Sequence, residues 1–233
     1  MKMLVMFIVV ISLFSCEKIL DKSPLTDYDE NEYDTIHIGN QVWMAENLKV
    51  THYADGTPIP FVEDPVEWGE LERMDKAFCW YDNSISNGDT YGALYTWAAA
   101  NNGLSSSTAN PSGVQGVCPT GWHLPSDAEW TTLTTFLDGE NIAGGKMKET
   151  DTTYWQSPNA GATNESGFSA LPGGVRYYPA GTFGAIGRTG SWWSATEYAD
   201  YGAFARYISY GGVSIQRGGD YKEMGFSVRC IKD

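Results

Sequence analysis

The sequence contains few basic residues. Lysine and arginine together number 15 against 29 aspartates and glutamates, which gives a formal net charge of −14. A protein that binds nucleic acid needs a positive surface to contact phosphates, so this charge argues against nucleic acid as a partner. We expect a neutral or cationic partner instead.

Recognisable catalytic motifs are also missing. There is no Gly-x-Ser-x-Gly elbow, no His-Glu-x-x-His and no phosphate-binding loop, and the three histidines are scattered at His37, His52 and His123. A general-base pair or metal site of His123 with Glu129 is conceivable from their types, but no other suited residue is tied to them by spacing. We therefore expect a protein that is not an enzyme and has no cofactor or metal site.

No hydrophobic run is long enough to span a bilayer. The apolar run at residues 4–14 follows a lysine and ends in Leu13-Phe14-Ser15-Cys16, which is typical of an export signal. Its end resembles a bacterial lipobox, in which the signal is cleaved before a cysteine that carries the lipid. Residues 1–16 are predicted to be a lipoprotein signal, with Cys16 as the lipidation site that attaches an exported protein to the outer membrane or cell surface. A plain signal peptide with a chance cysteine is the alternative.

The remaining chain divides into a short segment and one domain. Residues 17–34 hold seven acidic residues and few apolar ones, which predicts a solvated, flexible tether. Residues 35–233 contain no second linker, charge block or repeat. That length is ample for one well-packed core, so we predict a single domain.

Residue periodicity predicts two helices followed by strands. A helix is predicted from about Asp89 to residue 102, because apolar residues recur there at helical spacing. A second helix is predicted at residues 126–137, where Ser126 and Glu129 have the spacing of a capping box. Candidate strands follow an opening strand at 34–43: they are 167–171, 190–196, 203–210, 213–217 and 225–231. Gly211-Gly212 marks a hairpin turn. The fold class predicted is α+β, with two helices packed on a small, twisted, mainly antiparallel sheet with long loops.

The cysteine count leaves one thiol over. With Cys16 assigned to lipid, Cys79, Cys118 and Cys230 remain. An exported domain normally oxidises the pairs it can form, so one disulfide is expected. The residues alone leave all three pairings open.

Six ordered motifs resemble a known family. They are Tyr91-Gly92-Ala93-Leu94-Tyr95, Trp192-Trp193-Ser194-Ala195-Thr196 and Gly225-Phe226-Ser227-Val228-Arg229-Cys230, together with residues 39–48, 118–130 and 162–174. This set resembles the Fibrobacter succinogenes major paralogous domain, which is abundant in surface lipoproteins of Bacteroidota and Fibrobacterota. The resemblance covers nearly all of the chain after the tether, but it implies little about function because the family is poorly characterised.

A more distant similarity is to C-type-lectin-like domains and formylglycine-generating enzymes. The order of a first helix, Cys118, a second helix and Cys230 is similar to theirs. That similarity implies a Cys118–Cys230 disulfide, with Cys79 free or paired elsewhere. The sequence lacks the calcium-binding motifs of sugar-binding lectins and the reactive cysteine pair of the enzymes, so neither activity is carried over.

Two adjacent tryptophans are the main candidates for ligand contact. Neighbouring residues of a strand point to opposite faces, so one of Trp192 and Trp193 can be core while the other is displayed for stacking on a sugar or peptide. Asn164, Glu165 and Glu197 are candidates for polar contacts nearby.

Function is predicted from these features together. The leading hypothesis is a non-catalytic, lipid-anchored surface module that binds a glycan or a protein. The alternatives are a carbohydrate-active or formylglycine-generating type of enzyme, using carboxylates such as Glu129, Glu165 or Glu197, and a structural component of an envelope or adhesive assembly. In addition, Asp34-Thr35-Ile36 resembles an O-glycosylation triplet of exported Bacteroidota proteins, which makes Thr35 a candidate for modification.

Overall fold

The computed structural model describes residues 24–233. The predicted signal at residues 1–16, its lipidation site Cys16 and the first part of the predicted tether lie outside the described residues. Between Pro24 and Asp233, no helix combines the length and the apolar composition needed to cross a bilayer.

Short strands and short helices alternate along this part of the chain. The strands are β1 Leu25–Thr26, β2 Glu32–Tyr33, β3 Thr35–Ile38, β4 Gln41–Met44, β5 Phe78–Cys79, β6 Leu94–Tyr95, β7 Trp122–His123, β8 Gly173–Arg176, β9 Phe183–Ile186, β10 Thr189–Ala199, β11 Gly202–Ser209, β12 Ile215–Tyr221 and β13 Ile231–Lys232. The helices are α1 Pro65–Gly69, α2 Ile85–Tyr91, α3 Trp97–Ala100, α4 Asp127–Phe136 and α5 Glu140–Met147.

The strands form several small antiparallel sheets instead of the one sheet that was predicted. The orders are β3-β4-β13-β7 and β10-β11-β12, with three further pairs, β1-β2, β5-β6 and β8-β9. Strand β13 joins distant parts of the chain, because Ile231 pairs with both Trp43 and His123. The mixed helix and strand content and the antiparallel pairing are therefore confirmed, whereas the count of two helices is wrong.

The predicted helix from Asp89 to residue 102 is broken in the structure. Helix α2 ends at Tyr91, and Gly92 has a φ of 80°, in the left-handed region that favours glycine. A Cβ at Gly92 would lie 2.7 Å from the Cβ of Asn47, so the chain approaches too closely here for a side chain. Leu94 and Tyr95 then pair with β5, and helix α3 begins only at Trp97.

The second predicted helix is confirmed as α4. The Ser126 hydroxyl accepts a hydrogen bond from the Glu129 amide at 3.2 Å, and the Glu129 carboxylate accepts one from the Ser126 amide at 2.9 Å. This is the predicted capping box. Trp130 and Leu133 are buried along the helix, which ends at Phe136 and has Leu137 as its C-cap.

Three of the predicted strands agree with the structure and three do not. Those at 190–196, 203–210 and 213–217 correspond to β10, β11 and β12. The opening strand is instead the β3–β4 hairpin, which turns at Gly39 with a φ of 63°. Most of 167–171 and 225–231 is loop, because its backbone groups bond to several separate parts of the chain in place of one neighbouring strand.

Part of the predicted tether is packed on the domain. Strands β1 and β2 pair as a small hairpin, and Tyr33 is only 1% exposed. The Tyr33 hydroxyl donates a hydrogen bond to the Asp27 carboxylate at 2.6 Å. Residues 24–34 therefore belong to the folded structure. Asp27 and Tyr33 were predicted to be solvated, but they are buried and form a hydrogen bond with each other.

Strand β10 separates two large aromatic clusters of the core. Trp192 packs with Trp130 and Phe168 on one face, whereas Trp193 packs with Phe226 on the other. Helices α4 and α5 pack against the β10–β11–β12 sheet. Around the β10–β11 turn the sheet carries exposed aromatic side chains.

The Cys118–Cys230 disulfide is present in the structure. It links the segment before β7 to the residue before β13, and both cysteines are fully buried. Cys79 is a free thiol and is buried. This is the pairing that the lectin-like resemblance implies.

Candidate binding surface

Five aromatic side chains form a continuous row around the β10–β11 turn of the β10–β11–β12 sheet. In order they are Tyr178, Tyr221, Tyr201, Tyr198 and Phe204, and we call them the aromatic row. Each ring centroid lies 5.6 to 6.0 Å from the next. Tyr198, Tyr201 and Tyr221 are 39%, 45% and 50% exposed. Exposed rings in one connected group are a candidate interaction surface.

The aromatic row is corrugated. The planes of Tyr198 and Tyr201 are nearly perpendicular at 85°, and the other neighbouring rings are inclined at 46° to 58°. At the far end the Arg217 guanidinium lies 3.7 Å from the Phe204 ring centroid. This uneven surface therefore matches a ligand that is a single curved chain better than a ligand with a flat, crystalline face.

Two glycines allow one ring of the row, that of Tyr198, to lie on the sheet. A Cβ added at Gly219 would lie 2.2 Å from Cε1 of Tyr198, and one at Gly202 would lie 2.3 Å from the same atom. Neither glycine has a left-handed φ, so the close approach of the ring is what requires glycine here. The Tyr198 ring thus rests directly on the backbone of β11 and β12.

The hydroxyl of Tyr198 remains protonated over a wide pH range. Partial desolvation, a hydrogen bond with Tyr201 and the nearby Asp220 carboxylate raise the pKa of Tyr198 to about 12. The hydroxyl can therefore donate a hydrogen bond to a ligand lying on the ring.

An open pocket of about 500 Å³ lies at the Tyr178 end of the aromatic row. Four of its lining residues are acidic: they are Glu70, Glu72, Asp75 and Glu223. We call it the acidic pocket. Its single arginine, Arg73, forms an ion pair with Asp200. The pocket therefore presents excess negative charge to a ligand.

Sequence comparison assigns the family. The profile of the Fibrobacter succinogenes major domain matches residues 36–232. The chain belongs to this family. The matched range contains the whole aromatic row and the whole acidic pocket, and it confirms the family resemblance that the sequence motifs indicated.

Neither the curated proteins nor the solved structures contain a significant match. The similarity of this Fibrobacter succinogenes major domain to C-type-lectin-like domains therefore stays a prediction.

The predicted tryptophan contacts do not lie on the surface of this family member. Trp192 and Trp193 point to opposite faces of β10, as expected, but both are fully buried. The Trp192 indole donates to Asn47 Oδ1 and the Trp193 indole to the Tyr95 carbonyl, each at 2.8 Å. The prediction that one of the two tryptophans is exposed for ligand stacking is wrong, because each face of this part of β10 is covered by its own core cluster.

The three predicted polar contacts lie in separate networks. Asn164 is largely buried and donates to Glu149 at 2.9 Å, whereas Glu165 forms an exposed ion pair with Lys146. Glu197 precedes Tyr198 of the aromatic row and pairs with buried Lys222. Glu197 is thus the one predicted contact that lies beside the row.

Two other site predictions concern modification. Thr35 is 4% exposed within β3, so a glycan there would have to displace packed neighbours, and the structure does not support that assignment. Cys16 lies outside the described residues.

His123 is a buried residue that lies between two carboxylates, of which Glu129 is buried and Asp233 is exposed. Its Nε2 lies 2.8 Å from Glu129 Oε1 and its Nδ1 lies 2.7 Å from Asp233 Oδ1. Burial lowers the pKa of His123, but hydrogen bonds and charge from both carboxylates outweigh burial and raise the pKa above its usual value. The imidazolium then donates from both nitrogens, which leaves none free for base catalysis.

This cluster predicts a pH-dependent stability. The pKa of His123 is raised on folding, so the protonated imidazole stabilises the folded state. This stabilisation is fully present below the unfolded pKa of about 6.5 and is lost as pH rises through the folded pKa. Urea unfolding of the parent and of His123→Gln measures the effect. The difference in free energy of unfolding between them should shrink from about pH 6 towards about pH 9. A difference that is constant with pH would contradict the ion pairs.

Sequence reasoning missed the aromatic row. Its rings come from the segment after β8, the β10–β11 turn and the three strands β10, β11 and β12, so no spacing along the chain places them together. The available indications were the paired glycines Gly218-Gly219 in a strand and the tyrosines flanking the turn at Asp200, since glycine in a strand often marks close approach of another group.

Proposed function

We propose that this protein is a non-catalytic surface module that binds a soluble glycan chain along the aromatic row. The supporting observation is the run of five rings at nearly constant spacing, of which three are exposed. The C–H faces of sugar rings pack on aromatic rings, and tyrosine adds a hydroxyl for hydrogen bonds to sugar hydroxyls. A polymer of repeating rings matches a surface of repeating rings.

The lipid anchor forms part of the proposal. Export and lipidation at Cys16 would place the domain on the outer membrane or cell surface, where extracellular glycans are available. The net charge of −14 agrees with a neutral or cationic ligand.

Binding is favoured over the enzymatic alternative by the placement of the carboxylates. Glycoside hydrolysis uses two carboxyl groups that flank one groove. Of the three named for that alternative, Glu129 is buried against His123, Glu165 pairs with Lys146 and Glu197 pairs with Lys222. They share no partner in the described part of the chain, so no observation favours a hydrolytic pair.

The Tyr201→Ala variant tests this proposal. Tyr201 contacts the rings of both Tyr198 and Tyr221, so its removal interrupts the row. We expect about tenfold weaker binding, or about 1.4 kcal/mol, of the glycan selected by array screening, measured by calorimetry on the full chain.

The matched control is Tyr28→Ala, which removes an exposed tyrosine outside the row. Equal affinity for the parent and Tyr201→Ala would contradict the proposal, as would an array on which no glycan binds.

A further inference from the structure

The acidic pocket is lined by one buried carboxylate, that of Glu223. Glu223 is 5% exposed, and its Oε2 has no hydrogen-bond partner among residues 24–233. Burial raises the pKa of Glu223, which reflects the cost of keeping the carboxylate charged inside the protein. A buried polar atom without a partner is rare in native structures and calls for an explanation.

The acidic pocket is continuous with the aromatic row. Tyr178 lines the pocket, and its ring lies 6.0 Å from that of Tyr221. Arg73 also lines the pocket and pairs with Asp200, which directly precedes Tyr201. Glu223 itself follows the last residue of β12 by two positions. One ligand can therefore occupy both the row and the pocket.

The charge of the pocket selects the kind of group that it holds. Three further carboxylates, from Glu70, Glu72 and Asp75, line it with Glu223. No group of three His, Cys, Asp or Glu side chains in residues 24–233 is placed to hold a metal ion. An ammonium group fits better than a metal ion. It donates three hydrogen bonds and can pair with carboxylates that do not converge on one point.

We propose that the acidic pocket binds the primary ammonium group of an amino sugar in a glycan that lies along the aromatic row. This inference rests on the proposed function and narrows it to glycans with free amino groups. The ammonium supplies the hydrogen-bond partner that Glu223 Oε2 lacks within residues 24–233. The row binds the uncharged sugar rings that follow.

Three hexasaccharides with the same β-1,4-linked backbone provide the test. They are the hexamers of glucosamine, N-acetylglucosamine and glucose, which differ only at C2. Calorimetry on the full chain should give at least about tenfold tighter binding of the glucosamine hexamer, because only it forms a charge-assisted hydrogen bond in the pocket.

The Glu223→Gln variant separates the pocket from the row. It keeps the shape of the side chain, and Oε2 has no partner to lose within the described part of the chain, so the variant should fold and melt no lower than the parent. We expect it to bind the glucosamine and glucose hexamers with affinities within about twofold of each other, while its affinity for the glucose hexamer matches that of the parent.

Glu32→Gln is the control for general attraction to an acidic protein. Glu32 is an exposed residue of β2 outside the pocket, so the same charge is removed without touching the site. The preference for the glucosamine hexamer should survive this change.

Several outcomes would overturn the amine assignment. They are equal affinities for the three hexamers, a preference that persists in Glu223→Gln, and a preference that Glu32→Gln removes equally well. Tighter binding of a lysine hexapeptide with the same dependence on Glu223 would instead assign the pocket to a protein partner. Failure of every hexamer to bind would contradict the proposed function itself.

Discussion

Removal of the Cys118–Cys230 disulfide is expected to lower the free energy of unfolding by about 4 to 5 kcal/mol. The bond closes a loop with a sequence separation of 112 residues, so it strongly restricts the unfolded chain. Replacing both cysteines with alanine avoids leaving a reactive thiol. Urea unfolding followed by tryptophan fluorescence measures the loss.

Cys79→Ala is the control for this experiment. Cys79 is also buried but forms no disulfide, so its replacement should cost only about 1 kcal/mol through the lost packing of one sulfur atom. A double variant that unfolds at the same urea concentration as Cys79→Ala would show that the bridge does not stabilise the fold.

Replacement of Glu129 with alanine is expected to lower the free energy of unfolding by about 3 to 5 kcal/mol. The Glu129 carboxylate accepts hydrogen bonds from the Ser112 amide at 3.1 Å and the Ser126 amide at 2.9 Å. It also lies against His123, which is 2% exposed. Alanine leaves two amides and a buried imidazolium without that partner. Thermal and urea unfolding measure the loss.

Glu129→Gln provides a graded comparison. The amide oxygen can still accept from a backbone amide, but the negative charge beside His123 is gone. We expect a loss smaller than that of the alanine variant, about 1 to 3 kcal/mol. A loss below about 1 kcal/mol for Glu129→Ala would contradict the placement of its carboxylate at the centre of this network.

The segment at residues 118–130 was predictable because its structure is determined locally. Ser126 and Glu129 cap α4 through contacts three residues apart, and such pairs are visible in the sequence. Their tertiary role was not visible. Asp233 joins His123 from 110 residues away, and Ser112 joins Glu129 across a loop, so only the folded chain brings this network together.

The broken first helix illustrates the opposite case. Helical spacing of Tyr91, Leu94, Tyr95 and Ala98 predicted one continuous helix, but Tyr95 instead exchanges backbone hydrogen bonds with Phe226, far along the chain. Periodicity reports which residues are buried and not which partner buries them. Gly92 was the one local sign of the interruption.

The candidate site was the least predictable part of the molecule. The two adjacent tryptophans have the large aromatic surface that suits ligand stacking, but the same surface also favours burial in the core. The aromatic row is assembled from tyrosines whose spacing along the chain has no regular period. Of the predicted contacts only Glu197 lies beside it, as the immediate neighbour of Tyr198.

Chemical-shift mapping by NMR tests directly whether a glycan binds along the aromatic row. Isotope-labelled full-length protein would be titrated with a soluble hexasaccharide, and the shifted resonances would be assigned to residues. We expect the largest shifts at Tyr198, Tyr201, Tyr221 and the two glycines beneath Tyr198, Gly202 and Gly219. Shifts concentrated elsewhere, such as at the groove lined by Glu46 and Tyr154, would contradict it.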